Sequence, residues 1–416
     1  MDRLSDFLRA NVAWLAAGFL LTLASSFGQT FFIAVFAGEI RAAYDLSHGA
    51  WGTIYALATA ASAAVMVWAG SLTDRFRIRQ IGVIVLAGLA LTTVAMFFIT
   101  SVWMLVLTIF LLRLFGQGLM SHCAMVAMAR WFVARRGRAV SIAGLGVATG
   151  EALLPIGFVA LLGVFDWRVL WLLAAATLLA FTPLLWSLLR RERTPQSHAQ
   201  DSGSAGMDGR MWTRMEAFRS PVMWLMVPAL LGPAAWNTAF FFQQVPLAEA
   251  KGWAHVTLVA LFPLYTATSV AFMLAAGGLV DRFGTARLAG IYLTPLVVGY
   301  LLLAGSDSVA IAALGIVLMG MGNGLHVTMM GTFWADAFGT RHLGAIRAMM
   351  AAFMVLGTAL GPALTGALID LGFDFPLQSF GIAVYFAGAA LLAGISGRKM
   401  GAALVVPDPQ IAALRK

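Results

Sequence analysis

The chain has 416 residues, of which 61% are hydrophobic and 11% charged, against roughly 25% charged in a soluble domain. That much apolar surface cannot be hidden in one soluble core, so lipid must be the solvent of the outer faces. The 27 Lys and Arg outnumber the 18 Asp and Glu, a balance that suggests nucleic acid in a soluble protein. The single cysteine, Cys123, excludes an intramolecular disulfide.

A helix crossing about 30 Å of hydrocarbon needs about 20 apolar residues. The first run carries Arg3 and Arg9 in front of it and continues to Phe36 without a small-residue cleavage site, so it is read as a span rather than a signal peptide. Twelve spans are predicted in chain order, over residues 12–37, 50–70, 81–100, 103–128, 139–164, 167–189, 222–245, 254–276, 288–305, 309–333, 346–369 and 376–396. An even number puts both termini on one side. Of the 27 basic residues, 23 fall in the termini and loops of that side, three (Arg41, Arg168, Lys251) on the other, and Arg113 inside a span. The rule that cytoplasmic loops are rich in Lys and Arg makes the first side cytoplasmic. The positive charge is then topological, and no nucleic-acid partner is expected.

Residues 190–221 form the longest loop. Its Thr194–Gly206 stretch is polar and small, as in a linker, and the mixed basic and aromatic run Met211–Pro221 suits a short helix on the membrane interface. The expected domains are a six-helix bundle over 1–189, this linker, a second bundle over 222–396, and a cytoplasmic tail over 397–416. The halves repeat. Gly70-Ser-Leu-Thr-Asp-Arg-Phe76 matches Gly277-Gly-Leu-Val-Asp-Arg-Phe283. Gln29-Thr-Phe-Phe32 matches Asn237-Thr-Ala-Phe240, and Gly116-Gln-Gly-Leu119 matches Gly322-Asn-Gly-Leu325, all at nearly one offset. Parallel repeats of six helices imply an all-α membrane protein of two bundles related by a pseudo-twofold along the membrane normal.

With these motifs the chain resembles the major facilitator superfamily over nearly all its length. The family's loop between helices 2 and 3 has the form G-x-L-x-D-R-x-G-R-K. Gly70, Leu72, Asp74, Arg75 and Arg79 fit it, with Arg77 and Ile78 departing, and Gly277, Leu279, Asp281, Arg282 and Gly284 form a second copy. The resemblance implies transport by alternating access. It also implies a conformational latch made by Gly70, Asp74, Arg75, Arg79, Gly277, Asp281 and Arg282, in which ion pairs hold one state and break in the other. The plainer reading of these loops is that they only set topology. Ala129–Ala139 resembles the matching loop of the monocarboxylate and oxalate/formate branches. The acidic-glycine-aromatic opening of helix 1 and the deep arginine and lysine of helices 8 and 11 found there are absent. Where antiporters of the family carry Gly-Pro in helix 5, this chain has Gly150-Glu151, with Gly361-Pro362 in span 11 instead.

Ionisable groups inside hydrocarbon are costly and usually face a cavity or one another. Arg113 lies about 15 Å into span 4 and Glu151 about 18 Å into the antiparallel span 5, at similar depth. They are expected to pair and to couple a proton to substrate, unless they form a permanent packing pair. Arg113 also resembles the buried arginine of the family's R-x-x-x-G-x-G motif in helix 4. Gln117 is placed on the same face as Arg113, and Asn323 on that of His326. Since helices 1, 4, 7 and 10 line the cavity in this superfamily, substrate contact is expected from Arg113, Gln117, Gln29, Asn237, Asn323 and His326, with Tyr265 in span 8. Each amide could instead join two helices. Gly144, Gly146 and Gly150 in span 5, and Gly357, Gly361 and Gly366 in span 11, are spaced for close helix contact.

The sequence carries no metal-ligand cluster, P-loop or nucleophile elbow, so no enzyme activity, cofactor or direct ATP drive is expected. Three functions stay open. The first is proton-coupled transport of a small organic anion such as a carboxylate, by symport or antiport. The second is proton-coupled efflux of amphipathic drugs, and the third a non-transporting receptor. The expected setting is a monomer in a bacterial inner membrane, both termini cytoplasmic.

Overall fold

The computed structural model describes residues 4–69, 72–132, 136–190, 205–339 and 341–404. Among them every regular element is helical. Eleven helices are long and apolar enough to cross a membrane, and a shorter apolar helix, Thr294–Gly305, stands in the ninth position. The arrangement is consistent with twelve helices in two domains. This is the architecture that the backbone demands in lipid, where each N–H and C=O must be satisfied within its own segment.

Spans 2, 3, 5, 6, 10, 11 and 12 are single helices: His48–Ala69, Ile78–Phe98, Arg136–Leu162, Trp167–Leu188, Val309–Phe338, Leu343–Asp370 and Phe375–Ala403. The others are interrupted. Span 1 runs as Leu4–Ser25, tightens to a 3-10 turn at Ser26–Gly28, goes extended at Gln29 and resumes at Thr30–Ile33. Span 4 is α-helical over Val102–Leu112, widens to a π-helix over Arg113–Met120 and returns to α over Ser121–Trp131. Span 7 widens over Pro233–Asn237, between Pro221–Gly232 and Thr238–Phe242. Span 8 comprises His255–Val259 and Phe262–Phe283. The breaks in spans 1 and 7 end beside the repeat mates Gln29 and Asn237, so the repeat extends to backbone irregularity.

Span 9 departs from the predicted 288–305. After the short helix Thr285–Leu288 the chain turns, and the membrane helix starts only at Thr294. Pro295 in the first turn suits a helix start, where its missing N–H is no loss. Gly290 sits against Gly394 of span 12: a Cβ on it would lie 3.1 Å from the Gly394 Cα. The short interfacial helix appears as Arg214–Arg219, closed by a Thr213–Glu216 capping box. The segment before it is tied to the end of span 10 by Trp212 N–H to the Phe338 carbonyl at 3.0 Å. The polar linker residues 191–204 lie outside the described residues.

By contact the chain forms two compact units. The first joins residues 1–199 with Asn237–Thr266 and Thr358–Phe375. Its core is aromatic: Phe32 meets Phe27, Phe36, Phe158 and Trp171 with ring centroids 4.8–5.6 Å apart. In this unit the ends of spans 7, 8 and 11 that lie away from the arginine-rich loops pack on spans 1, 2 and 5. The Asp370 carboxylate accepts from His48 N–H (2.9 Å), Gly49 N–H (2.7 Å) and the Ser47 hydroxyl (2.6 Å), so span 11 caps the start of span 2. Buried Gln243 donates to Thr365 Oγ1 at 3.0 Å, and buried Gln244 donates to the Phe31 carbonyl at 3.1 Å. The second unit comprises Gln200–Trp236, Ala267–Gly357 and Pro376–Lys416. There spans 9 and 10 touch through Gly299 and Gly315: a Cβ on either would meet the other's carbonyl at 2.7–2.8 Å.

Candidate functional site

Two glycines bring Arg113 to span 1. A Cβ on Gly116 would lie 2.5 Å from the Gly28 Cα, so spans 1 and 4 meet backbone to backbone. The break at Ser26–Gln29 takes the Gly28 carbonyl out of the helical ladder, and Arg113 Nη1 donates to it at 3.0 Å. The same nitrogen lies 3.5 Å from Thr30 Oγ1. Thr30 is hydrogen-bonded to the Tyr55 hydroxyl of span 2, and the guanidinium sits 5.1 Å from the Tyr55 ring centroid. Arg113 is 1% exposed, and its Nε and Nη2 have no hydrogen-bond partner among the described residues. A buried donor without a partner costs about 1–3 kcal/mol, and a ring face returns about 0.5–2 kcal/mol. Two donors of a rigid fork are thus held in a polar niche without being used. That is the arrangement that binds a carboxylate or phosphate in two-pronged fashion.

Phe242 of span 7 links this niche to the end capped by Asp370. Its ring centroid is 4.7 Å from that of Tyr55 and 5.6 Å, stacked, from that of Trp51.

The expected Arg113–Glu151 ion pair is not formed. Among the described residues Glu151, half-buried, accepts from the Thr266 hydroxyl of span 8 at 2.7 Å, while Arg113 is engaged by span 1 and Tyr55. Equal depth did not imply equal direction: span 5 lies against span 1 up to the start of its break, with Gly146 at Phe19 and Thr22 and Gly150 at Ser26. A threonine hydroxyl donates to a carboxylate and accepts from a carboxylic acid. Thr266 therefore serves Glu151 in either protonation state.

The other expected contacts divide between the units. In the first, Gln29 occupies the extended link of span 1 and Gln117 lies within the π-helical stretch, both half-buried. Asn237 is buried at the end of the widened stretch of span 7. Tyr265 is buried, its ring edge-on to Phe241 at 5.1 Å. In the second, Asn323 donates to Ser269 Oγ at 3.0 Å, a join between spans 10 and 8. His326 is buried and stacked on Tyr292 at 6.0 Å. Of the loop residues, Gly70 and the side chains of Asp74, Arg75 and Asp281 lie outside the described residues. Arg79 stacks on Trp186 at 3.7 Å, Gly277 has nothing within 4 Å of where a Cβ would stand, and Arg282 is exposed.

Thr30, Tyr55 and Thr266 were not among the expected site residues. Thr30 lies inside the repeated Gln29-Thr-Phe-Phe32 motif, which was the available signal. Thr266 stands in the hydroxyl-rich run Tyr265-Thr266-Ala-Thr268-Ser269 of span 8, from which only Tyr265 was expected at the site, and Tyr55 is a lone hydroxyl in an apolar run, which is unremarkable.

Residues 18–362 and 261–410 match the family model described as the Major Facilitator Superfamily. The fold is similar to that of a bacterial homologue of the human lysosomal transporter Spinster, inward-facing and unoccupied. That match has a TM-score of 0.71 at 15% identity and covers 96% of this chain and 99% of that one. The same homologue, inward-facing and occupied, gives 0.64 at 16% identity over 95% of each chain. The nucleoside transporter NupG gives 0.67 at 13% identity over 93% of this chain and 99% of that one. No curated protein matches the chain in sequence. Identities this low speak for the fold alone. A family match running the length of a chain of membrane-spanning helices decides the question of kind: the chain belongs to the Major Facilitator Superfamily, whose fold is that of a membrane transporter working by alternating access.

Proposed function

We propose that the protein carries a small organic anion, such as a carboxylate, across the membrane and couples its movement to a proton. The observation that supports this reading is Arg113: a guanidinium buried mid-membrane, aligned by the Gly28 carbonyl, Thr30 and Tyr55, with two donors unused. A fixed positive charge in low dielectric attracts an anion far more strongly than it would in water. Gln29 and Gln117, on the two interrupted helices flanking Arg113, are proposed to contact the rest of the substrate, as are Asn237, Asn323, His326 and Tyr265. Discontinuous helices bearing the site are a recurring feature of transporters. Glu151, whose hydroxyl partner suits both protonation states, is the proposed proton carrier. It acts through the movement of span 8 rather than through a standing pair with Arg113. Phe27, Phe32, Phe36, Phe158 and Trp171 are engaged with one another in the first unit's core, so these aromatic residues do not offer a greasy substrate pocket.

The moving bodies in this reading are the bundles 1–189 and 222–396. The arginine-rich loops face the cytoplasm of a bacterial inner membrane, and Gly70–Arg79 and Gly277–Arg282 latch that side. The contacts of Asp370, Gln243 and Gln244 close the opposite side. The test is uptake of a panel of radiolabelled organic acids into proteoliposomes, with and without an inward proton gradient, for wild type and Glu151→Gln. The reading expects gradient-stimulated uptake of at least one acid in wild type. In the variant, exchange of that acid should persist without a response to the gradient. Uptake of no acid, with cationic dyes moving against the gradient, would overturn the reading in favour of efflux.

A further inference from the structure

A groove of about 650 Å³ runs along the flank of spans 8, 9 and 10, wholly within the second unit. It exists because span 9 begins late. The chain leaves span 8 at Gly284 (φ +74°), Thr285 is pinned by a 2.6 Å bond to Asp336 of span 10, and the turn before Thr294 leans on span 12 at Gly394. What a full helix 9 would cover is left open. Its walls include Leu279, Phe283, Ile291 and Val298, all substantially exposed, and Leu318, Met321, Leu325 and Met329 of span 10. Between Arg287 and the far end only Tyr292 and Thr294 carry a polar atom, and walls this apolar face acyl chains in a membrane protein, not a water-filled passage.

The charged residue of the lining stands at one end. Arg287 lines it there, exposed and with no carboxylate partner among the described residues. Arg282, one turn before, holds its guanidinium 5.3 Å from the ring of the wall residue Phe283. From Met329 to Leu318 the groove follows about 16 Å of helix, close to half of a hydrocarbon core of about 30 Å. Its length is therefore that of one leaflet, with the cations at the end where headgroups lie.

We propose that this groove is a binding site for one anionic glycerophospholipid, with an acyl chain along spans 8–10 and the phosphate at Arg287. Basic side chains that open onto an apolar cleft between membrane helices hold lipid headgroups in this way. Occupation would fill the gap left by the short helix 9 and brace the segment linking spans 8 and 9.

The test is native mass spectrometry of the purified full chain titrated with phosphatidylglycerol, with phosphatidylcholine of the same acyl chains, and with glycerol phosphate. Wild type should retain one phosphatidylglycerol in clear preference to phosphatidylcholine and no glycerol phosphate. Arg287→Gln should weaken phosphatidylglycerol about fivefold, the effect of removing one surface cation. Val298→Trp, which fills the groove and leaves the charge, should weaken both lipids. Equal retention of the two lipids by wild type would overturn the proposal. So would retention unchanged in either variant, or glycerol phosphate binding as well as the lipid.

Discussion

Replacing Asp370 by alanine should release the end of the first unit that lies away from the arginine-rich loops. The two oxygens of Asp370 accept from His48 N–H, Gly49 N–H and Ser47 Oγ, all within 2.9 Å. His48 and Gly49 open span 2, so a residue of span 11 supplies the cap that a helix usually takes from its own sequence. Losing a cap acceptor costs about 1 kcal/mol. Losing a negative charge at a helix N-terminus adds about 0.3–1 kcal/mol, the lower end applying because Asp370 is exposed. The contacts exist only while spans 2 and 11 touch, so about 1.4 kcal/mol comes off the closed state alone, about tenfold in its equilibrium with the open one. Spin labels at Ala43→Cys and Phe373→Cys, both exposed positions, would report it in a background where buried Cys123 is replaced by serine. Wild type should give mainly the short separation, and Asp370→Ala a longer population increased about tenfold relative to it. An unchanged distance distribution would refute the assignment of Asp370 as a clasp.

Other outcomes follow from the same geometry. Gly146→Leu should lower the melting temperature in detergent sharply, since any side chain there strikes Phe19 and Thr22, with overpacking costing about 1–3 kcal/mol or more. Gly144→Ala, which meets nothing within 4 Å, should leave it unchanged. Tyr55→Phe removes the hydroxyl bonded to Thr30 but keeps the ring beside Arg113, so the KM for an acid should rise only a few-fold. Tyr55→Ala should raise it further, and equal effects would discount the ring. The Glu216 carboxyl is held below its ordinary value of 4.5, first by accepting from the Thr213 backbone N–H. A depressed pKa in the folded state stabilises the cap above the ordinary value, and that contribution is lost as pH falls through the lower one. Carboxyl-carbon NMR should place the Glu216 midpoint below the ordinary value, and Thr213→Val, which removes the hydroxyl and keeps the backbone N–H, should move it only part of the way back.

The sequence already showed much of the architecture, because lipid imposes one rule on every span: length and apolarity count the helices and glycine spacing marks where they touch. Gly146 and Gly150 do meet span 1. Direction around a helix was harder to read. The depths of Arg113 and Glu151 were computed from rise per residue, and rise is indifferent to azimuth. The π-helical stretch beginning at Arg113 adds i→i+5 hydrogen bonding, so a 100° step per residue fails across it. The break at Ser26–Gln29, which frees the Gly28 carbonyl for Arg113, has no proline to announce it; it follows from the backbone contact with Gly116. Helix 9 was predicted too long because residues 288–293 are apolar enough to span. Their packing on span 12, rather than their composition, ends the helix.

The central claim is that Arg113 is the anion's anchor, and the most direct measurement compares uptake of the organic-acid panel by wild type, Arg113→Lys and Arg113→Gln in proteoliposomes. The account predicts that the acid carried by wild type is lost with glutamine. With lysine it should be partly kept at a raised KM, because the charge remains while the two-pronged fork does not. Uptake by Arg113→Gln at the wild-type rate and KM would contradict it.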